Sequence, residues 1–175
     1  MVSEKSDFLF KVLLMGQYGA GKTSIGERYF RNEYSEHYCV RLGVDFWIKR
    51  FKVLEKTGRA FVWDPSGTER FGRIHKSYYR GFTAAIFVFD VTCMESFDEV
   101  DHWFKEASGS VNQEIISVLV GTKIDLKPRS VEREAAEKYA RSHNMMYLEV
   151  SSKEDINIKE IFSVLLPQLV FNKIS

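Results

Sequence analysis

The sequence predicts an α/β fold: a six-stranded, mostly parallel sheet with one antiparallel edge strand and helices on both faces. Three observations carry that reading. Strand-like and helix-like segments alternate from end to end of the 175 residues. The runs Ala84 to Val91 and Ile115 to Val120 are continuously apolar, as strands covered on both faces are. A single hairpin signal, early in the chain, supplies the one antiparallel pair.

The elements follow in order. Phe8 to Met15 reads as a buried strand. It could mimic the apolar part of a signal peptide, but it is short, is interrupted by Lys11, and runs straight into a glycine-rich loop. A helix is expected from about Lys22 to Arg31, then a polar, aromatic-studded loop from Asn32 to Leu42. A strand from about Val44 to Leu54 meets the turn Glu55-Lys56-Thr57-Gly58 and returns along Arg59 to Asp64. Thr92 and Glu95 have capping-box spacing and open the helix before the strand at Ile115. Val131 to Asn144 is a charged amphipathic helix, and Met145 to Val150 a last strand. Asn157 and Glu160 start the final helix, whose stripe of Ile158, Ile161, Phe162, Leu165, Leu166 and Leu169 is core. Pro167 inside it should kink or shorten it.

Composition narrows the class. The chain is 45% hydrophobic and 28% charged, a globular balance without repeats or linkers, so residues 1–175 read as one domain. A net charge of +1 argues against binding nucleic acid through bulk charge. Cys39 and Cys93 lie far apart and without metal spacing, which disfavours disulfides and zinc and fits a reducing cytoplasmic setting. No apolar run reaches membrane-spanning length. Val2 excludes N-myristoylation, and the last residues offer no cysteine for prenylation, so no direct membrane anchor is expected in this chain.

Chemistry enters at Gly16-Gln17-Tyr18-Gly19-Ala20-Gly21-Lys22-Thr23, which fits G-x-x-x-x-G-K-[ST] between a strand and a helix. Glycines let backbone N–H groups turn in around phosphate oxygens, and the helix aims its positive end at the same charge. Lys22 can reach the terminal phosphates, and the Thr23 hydroxyl is placed for Mg²⁺. A chance match in a chain this long is on the order of 1 in 100 or rarer, so a plain glycine turn is a poor competitor.

Weaker segments gain force from that loop. Asp64, at a strand end before Pro65-Ser66-Gly67, suits an acid holding Mg²⁺ directly or through water, although Asp-x-x-Gly alone is an ordinary turn. In Gly121-Thr122-Lys123-Ile124-Asp125 the carboxylate can accept guanine's N1–H and exocyclic amino group, a donor pair that adenine lacks. The Lys123 stem can lie along the base. Ser151-Ser152-Lys153 can offer a backbone N–H to the guanine carbonyl.

Together these segments resemble the small Ras-like GTPases, and within them the Rab branch, over residues 8–171. Rab-type stretches are Gly43-Val44-Asp45-Phe46, Trp63-Asp64 with Glu69-Arg70-Phe71, Ser77-Tyr78-Tyr79-Arg80-Gly81, and Phe87 to Thr92 followed by Glu95-Ser96-Phe97. The resemblance implies a three-layer phosphate-loop G domain that binds GTP and GDP with Mg²⁺. Tyr18, Gly19, Ala20, Gly21, Lys22, Thr23 and Ser24 would line the phosphates, and Thr23 and Asp64 the metal side. Tyr34 would pack on the nucleotide edge, and Tyr38 would lie over the phosphates. The Gly67 N–H would sense the γ-phosphate. Thr122, Lys123, Asp125, Ser151, Ser152 and Lys153 would hold guanine. Thr122 stands where most members carry Asn, but Rho-type GTPases also use Thr there. Phe46, Trp63 and Tyr78 match the aromatic trio that Rabs present to effectors, against the plainer alternative of three core aromatics.

Three departures gather on the γ-phosphate side. Arg41 replaces the Thr that ligates Mg²⁺ in the family, and a guanidinium, having donors only, cannot ligate a cation. It could pair with a phosphate oxygen instead. Thr68 replaces the glutamine that orients the attacking water and is too short for that task. Tyr18 fills a loop position usually held by Gly or Ser. The expectation is a Rab-like switch in vesicle traffic, cytoplasmic and peripheral on endomembranes, with slow GTP hydrolysis and with effectors, an exchange factor and a GTPase-activating protein as partners. The alternative is a nucleotide-locked pseudo-GTPase acting as a scaffold. A phosphate-loop kinase acting on a small molecule is a poor third: it would need a lid with arginines and an acceptor site, whereas Lys123, Asp125 and Ser151 to Lys153 are better explained by guanine. The absence of a cysteine-ended tail is read as a truncated chain, one G domain of a longer protein, or recruitment through a partner.

Overall fold

The computed structural model describes residues 6–36, 44–65, 79–111 and 114–174. Six strands and five helices alternate among them: β1 (Phe8–Met15), α1 (Lys22–Arg31), β2 (Asp45–Val53), β3 (Lys56–Asp64), β4 (Ala84–Asp90), α2 (Met94–Asp98), α3 (Val100–Gly109), β5 (Ile116–Thr122), α4 (Arg133–Ser142), β6 (Met146–Glu149) and α5 (Ile158–Ile174). The strands form one sheet in the order β2-β3-β1-β4-β5-β6. Only the β2–β3 pair is antiparallel. This is the predicted architecture, edge strand included.

Strand alternation divides the core in two. Phe10, Val12 and Leu14 of β1, with Ala84, Ile86 and Val88 of β4, face α1 and the apolar stripe of α5. Leu13, Met15, Ala85, Phe87 and Phe89 face α3 and α4 on the opposite side. All seven residues of β4 are buried, which is why its sequence reads as an unbroken apolar run.

Several local expectations need correction. The hairpin turn is Leu54–Glu55, not residues 55–58, because Val53 already pairs with Lys56. Both turn residues take positive φ, 49° and 60°, as a two-residue hairpin loop demands. Gly58, whose glycine suggested the turn, lies inside β3 directly opposite Phe51. A Cβ there would come within 2.2 Å of the Phe51 ring, so this glycine makes room for an aromatic neighbour. The capping box does not form: α2 starts at Met94 after Cys93 without a side-chain cap. The Thr92 hydroxyl instead donates to the Asp90 carboxylate at 2.7 Å, and the Ser96 hydroxyl donates to the Cys93 carbonyl at 2.7 Å. The predicted helix before β5 is divided at Glu99, and the helix predicted over Val131 to Asn144 is shorter at both ends. Pro167 does not shorten α5, which runs through it to Ile174.

Candidate functional site

Parallel pairing of β1, β3, β4, β5 and β6 brings the loops after these strands to one end of the sheet, the usual place for a ligand in an open α/β fold. The glycine-rich loop leaves β1 there. Gly16 accepts no side chain, since a Cβ would lie 2.1 Å from the Val88 carbonyl oxygen on β4. Gly21 caps α1 without any side-chain hydrogen bond, and the first turn holds no acid. The positive end of α1 therefore faces the loop. The Lys22 ammonium is buried and donates to the Gly16 and Gln17 carbonyls at 2.8 and 2.9 Å. It spans its own loop, already oriented in the cradle.

The metal side fits the ion that the motif calls for. The Thr23 hydroxyl donates to the Asp64 carboxylate at 2.6 Å, and Asp64 is fully buried at the end of β3. A hydroxyl and a carboxylate beside a phosphate cradle are hard oxygen donors. Mg²⁺ typically takes one or two such protein oxygens and completes its shell with phosphate and water. Among the described residues no cluster of three or more His, Cys, Asp or Glu could hold a metal alone, so a shared ion is the chemistry that this donor set can support.

The base side lies next to it. The Thr122 hydroxyl, at the end of β5, is 2.6 Å from the Ala20 carbonyl and 3.0 Å from that of Phe89. One buried hydroxyl thus links the phosphate loop to the strands that carry the base loop. Lys123 takes φ +60°, and its ammonium pairs with Asp90 at 2.7 Å. Asp90 also accepts the Thr92 N–H, which fixes the direction of the lysine stem. Asp125 accepts the Ser151 hydroxyl at 2.6 Å, so the side chain of Ser151 sets the carboxylate's angle. Ser151 in turn accepts the Glu154 N–H, and its backbone bridges Ile156. Sequence reasoning missed Asp90, the hydroxyl role of Ser151, and Arg28, which holds the carbonyls of Ser152 and Lys153. Position at or just after a strand end could have pointed to Asp90 and Ser151, whereas Arg28, inside α1, carried no such signal.

Behind the base loop a second arrangement holds it on β6. The Arg129 guanidinium forks onto the Glu149 carboxylate, which also accepts the Tyr147 hydroxyl at 2.7 Å. Burial alone would push the Glu149 carboxyl up, but the donors from Arg129 and Tyr147 outweigh it and hold it below the usual carboxylate range. Stability from this group is therefore full above that range and is lost as pH falls through its lower folded-state value. We expect Arg129→Ala to destabilise the fold by about 3 kcal/mol at neutral pH. Urea-unfolding midpoints should fall less on acidification in that variant than in the wild type. Identical acid slopes would refute the coupling.

Tyr34 is partly exposed beside this site, and Tyr18 is half-buried in the phosphate loop. Phe46 is 55% exposed, with its ring centroid 5.9 Å from that of Trp63. The Lys11 ammonium lies 4.6 Å over the Trp63 ring. Phe46 is a surface residue, so the core-aromatic alternative does not hold for it, whereas Trp63 on the adjoining strand is partly buried and packs against the core. Tyr38, Arg41, Gly67, Thr68 and Tyr78 lie outside the described residues.

The fold and this grouping define a phosphate-loop nucleotide-binding protein of the G-domain type. The Ras family model matches residues 11–170. The human Ras-related protein Rab-30 is 38% identical over 171 residues, covering 97% of this chain and 84% of its own length. The GTP-binding protein YPTM1 of Zea mays is 40% identical over 162 residues, 92% of this chain and 78% of its own. RABA4d of Arabidopsis thaliana is 35% identical over 168 residues, 95% and 76% respectively. The chain belongs to the Ras family, in its Rab branch: it is a small GTPase whose cofactors are GTP, GDP and Mg²⁺. Effectors, exchange factors and GTPase-activating proteins are the partners of that family. Among the described residues no helix is long and apolar enough to cross a membrane.

Proposed function

We propose that residues 1–175 form one G domain that acts as a slow Rab-type switch in vesicle traffic, peripheral on endomembranes. The observation that carries the site is the 2.6 Å bond from Thr122 to Ala20, which joins a phosphate-binding loop to a guanine-reading loop. In this reading Gly19, Ala20, Gly21, Lys22 and Ser24 hold the phosphates, while Thr23 and Asp64 serve Mg²⁺. Lys123 and Asp125 read guanine, and the segment from Ser151 to Lys153 closes over its carbonyl edge. Phe46 and Trp63, with Tyr78, present the effector surface, a role that the exposure of Phe46 supports.

Slow hydrolysis follows from side-chain chemistry. Arg41 has no lone pair for Mg²⁺, and Thr68 cannot reach a water in line with the γ-phosphate. Tyr18 crowds the entry of that water. Single-turnover hydrolysis on the purified, GTP-loaded protein tests this: we expect a rate at least about tenfold below that of a Rab carrying the usual Thr and Gln, roughly 1.4 kcal/mol of lost transition-state stabilisation. An equal rate would refute it. The same three departures also suit a nucleotide-locked scaffold. Bound GDP that never exchanges for GTP would favour that reading.

A further inference from the structure

Arg28 lies in the last turn of α1, and no motif marks it. Its guanidinium nevertheless ties two segments to each other, residues 152–153 and residues 32–34. Nε donates to the Ser152 carbonyl at 2.7 Å, and one terminal nitrogen donates to the Lys153 carbonyl at 3.2 Å. The other donates to Asn32, to the backbone carbonyl at 3.3 Å and the side-chain oxygen at 3.4 Å. The same group stands 5.9 Å from the Tyr34 ring centroid. A second tie runs in parallel: the Lys153 ammonium pairs with Glu36 at 2.7 Å. Asn32, Tyr34 and Glu36 begin the segment that leads into the first switch.

We propose that Arg28 is a positioning residue for guanine, and that the Arg28 fork and the Lys153–Glu36 pair make the leading segment of the first switch part of the base site. The inference rests on the base-site reading above. A planar fork fixes two consecutive carbonyls, and with them the peptide plane between Ser152 and Lys153. That plane sets the direction of the backbone N–H expected to meet the guanine carbonyl oxygen. Pulling residues 32–36 outward withdraws Tyr34 from the guanidinium and Glu36 from Lys153. Both movements loosen the loop over the base.

The test follows dissociation of fluorescent GDP from the purified chain in Mg²⁺, together with competition by GDP and by 6-thio-GDP, whose sulfur is a poor acceptor. We expect Arg28→Ala to speed GDP release roughly tenfold or more, since two charge-assisted bonds go. Arg28→Lys, with a point charge and no fork, should recover only part of the loss. Glu36→Gln should speed release about two- to fivefold, as for an exposed ion pair. If Arg28 acts through the guanine carbonyl, Arg28→Ala should weaken 6-thio-GDP less than GDP. A general loosening would weaken both alike, and that result overturns the positioning role. Unchanged GDP release in Arg28→Ala overturns the whole inference. Failure of the wild type to bind GDP would instead overturn the base-site reading on which it rests.

Discussion

Lys22→Ala should weaken GDP and GTP binding by on the order of 10³-fold, about 4 kcal/mol, while the protein stays folded. The ammonium is buried, and its bonds to Gly16 and Gln17 hold it inside the loop rather than in solvent. Its charge is therefore set in place before the ligand arrives, and little ordering entropy opposes binding. Removing it takes away the attraction and leaves the Gly16 and Gln17 carbonyls without their donor. Calorimetric titration with GDP measures the loss. Circular dichroism and a urea midpoint within about 1 kcal/mol of wild type would show that the fold survives. Wild-type affinity in Lys22→Ala would mean that phosphate does not sit in this loop.

Most of the fold was legible, because its signals are local and repeated. Buried strands that read as unbroken apolar runs, and helices whose apolar residues recur at 3.6-residue spacing, give element order directly. The errors share a cause: a residue type fits two jobs, and tertiary contact chooses. Gly58 serves Phe51 rather than a turn, while Leu54 and Glu55, poor turn residues by propensity, take the positive φ values that hairpin register imposes. Thr92 and Glu95 have the spacing of a cap, but the Asp90 carboxylate draws Thr92 away. Asp90 is itself held by Lys123, a residue thirty-three positions on, and no pattern of neighbours reveals such a bond.

The site was legible to a different depth. Residues that face a ligand form short motifs, because the ligand dictates their types. The residues that hold those motifs in place do not: Arg28, Asp90, Arg129 and Glu149 are ordinary charges until the strands bring them together. Arg28 meets Ser152 across 124 positions, and Thr122 meets Ala20 across 102. The sequence therefore names what would touch the nucleotide, while the fold shows what fixes its angle.

Asp125→Ala is expected to abolish guanine-nucleotide binding, weakening GDP by on the order of 10³-fold or more. The carboxylate is held by the Ser151 hydroxyl, so one oxygen is oriented and both can accept the base's paired donors. Without it, guanine's N1–H and amino group lose hydration in the site and gain nothing in return. Asp125→Asn separates loss of recognition from loss of fold. An amide offers one acceptor and one donor, which suits the xanthine ring, where a carbonyl replaces the amino group. This variant should lose GDP and gain xanthosine diphosphate. Competition against fluorescent GDP, and direct titration with each diphosphate, measure both changes. If labelled GDP binds Asp125→Ala with unchanged affinity, the base lies elsewhere and the roles given to Lys123 and to the segment from Ser151 to Lys153 fall with it.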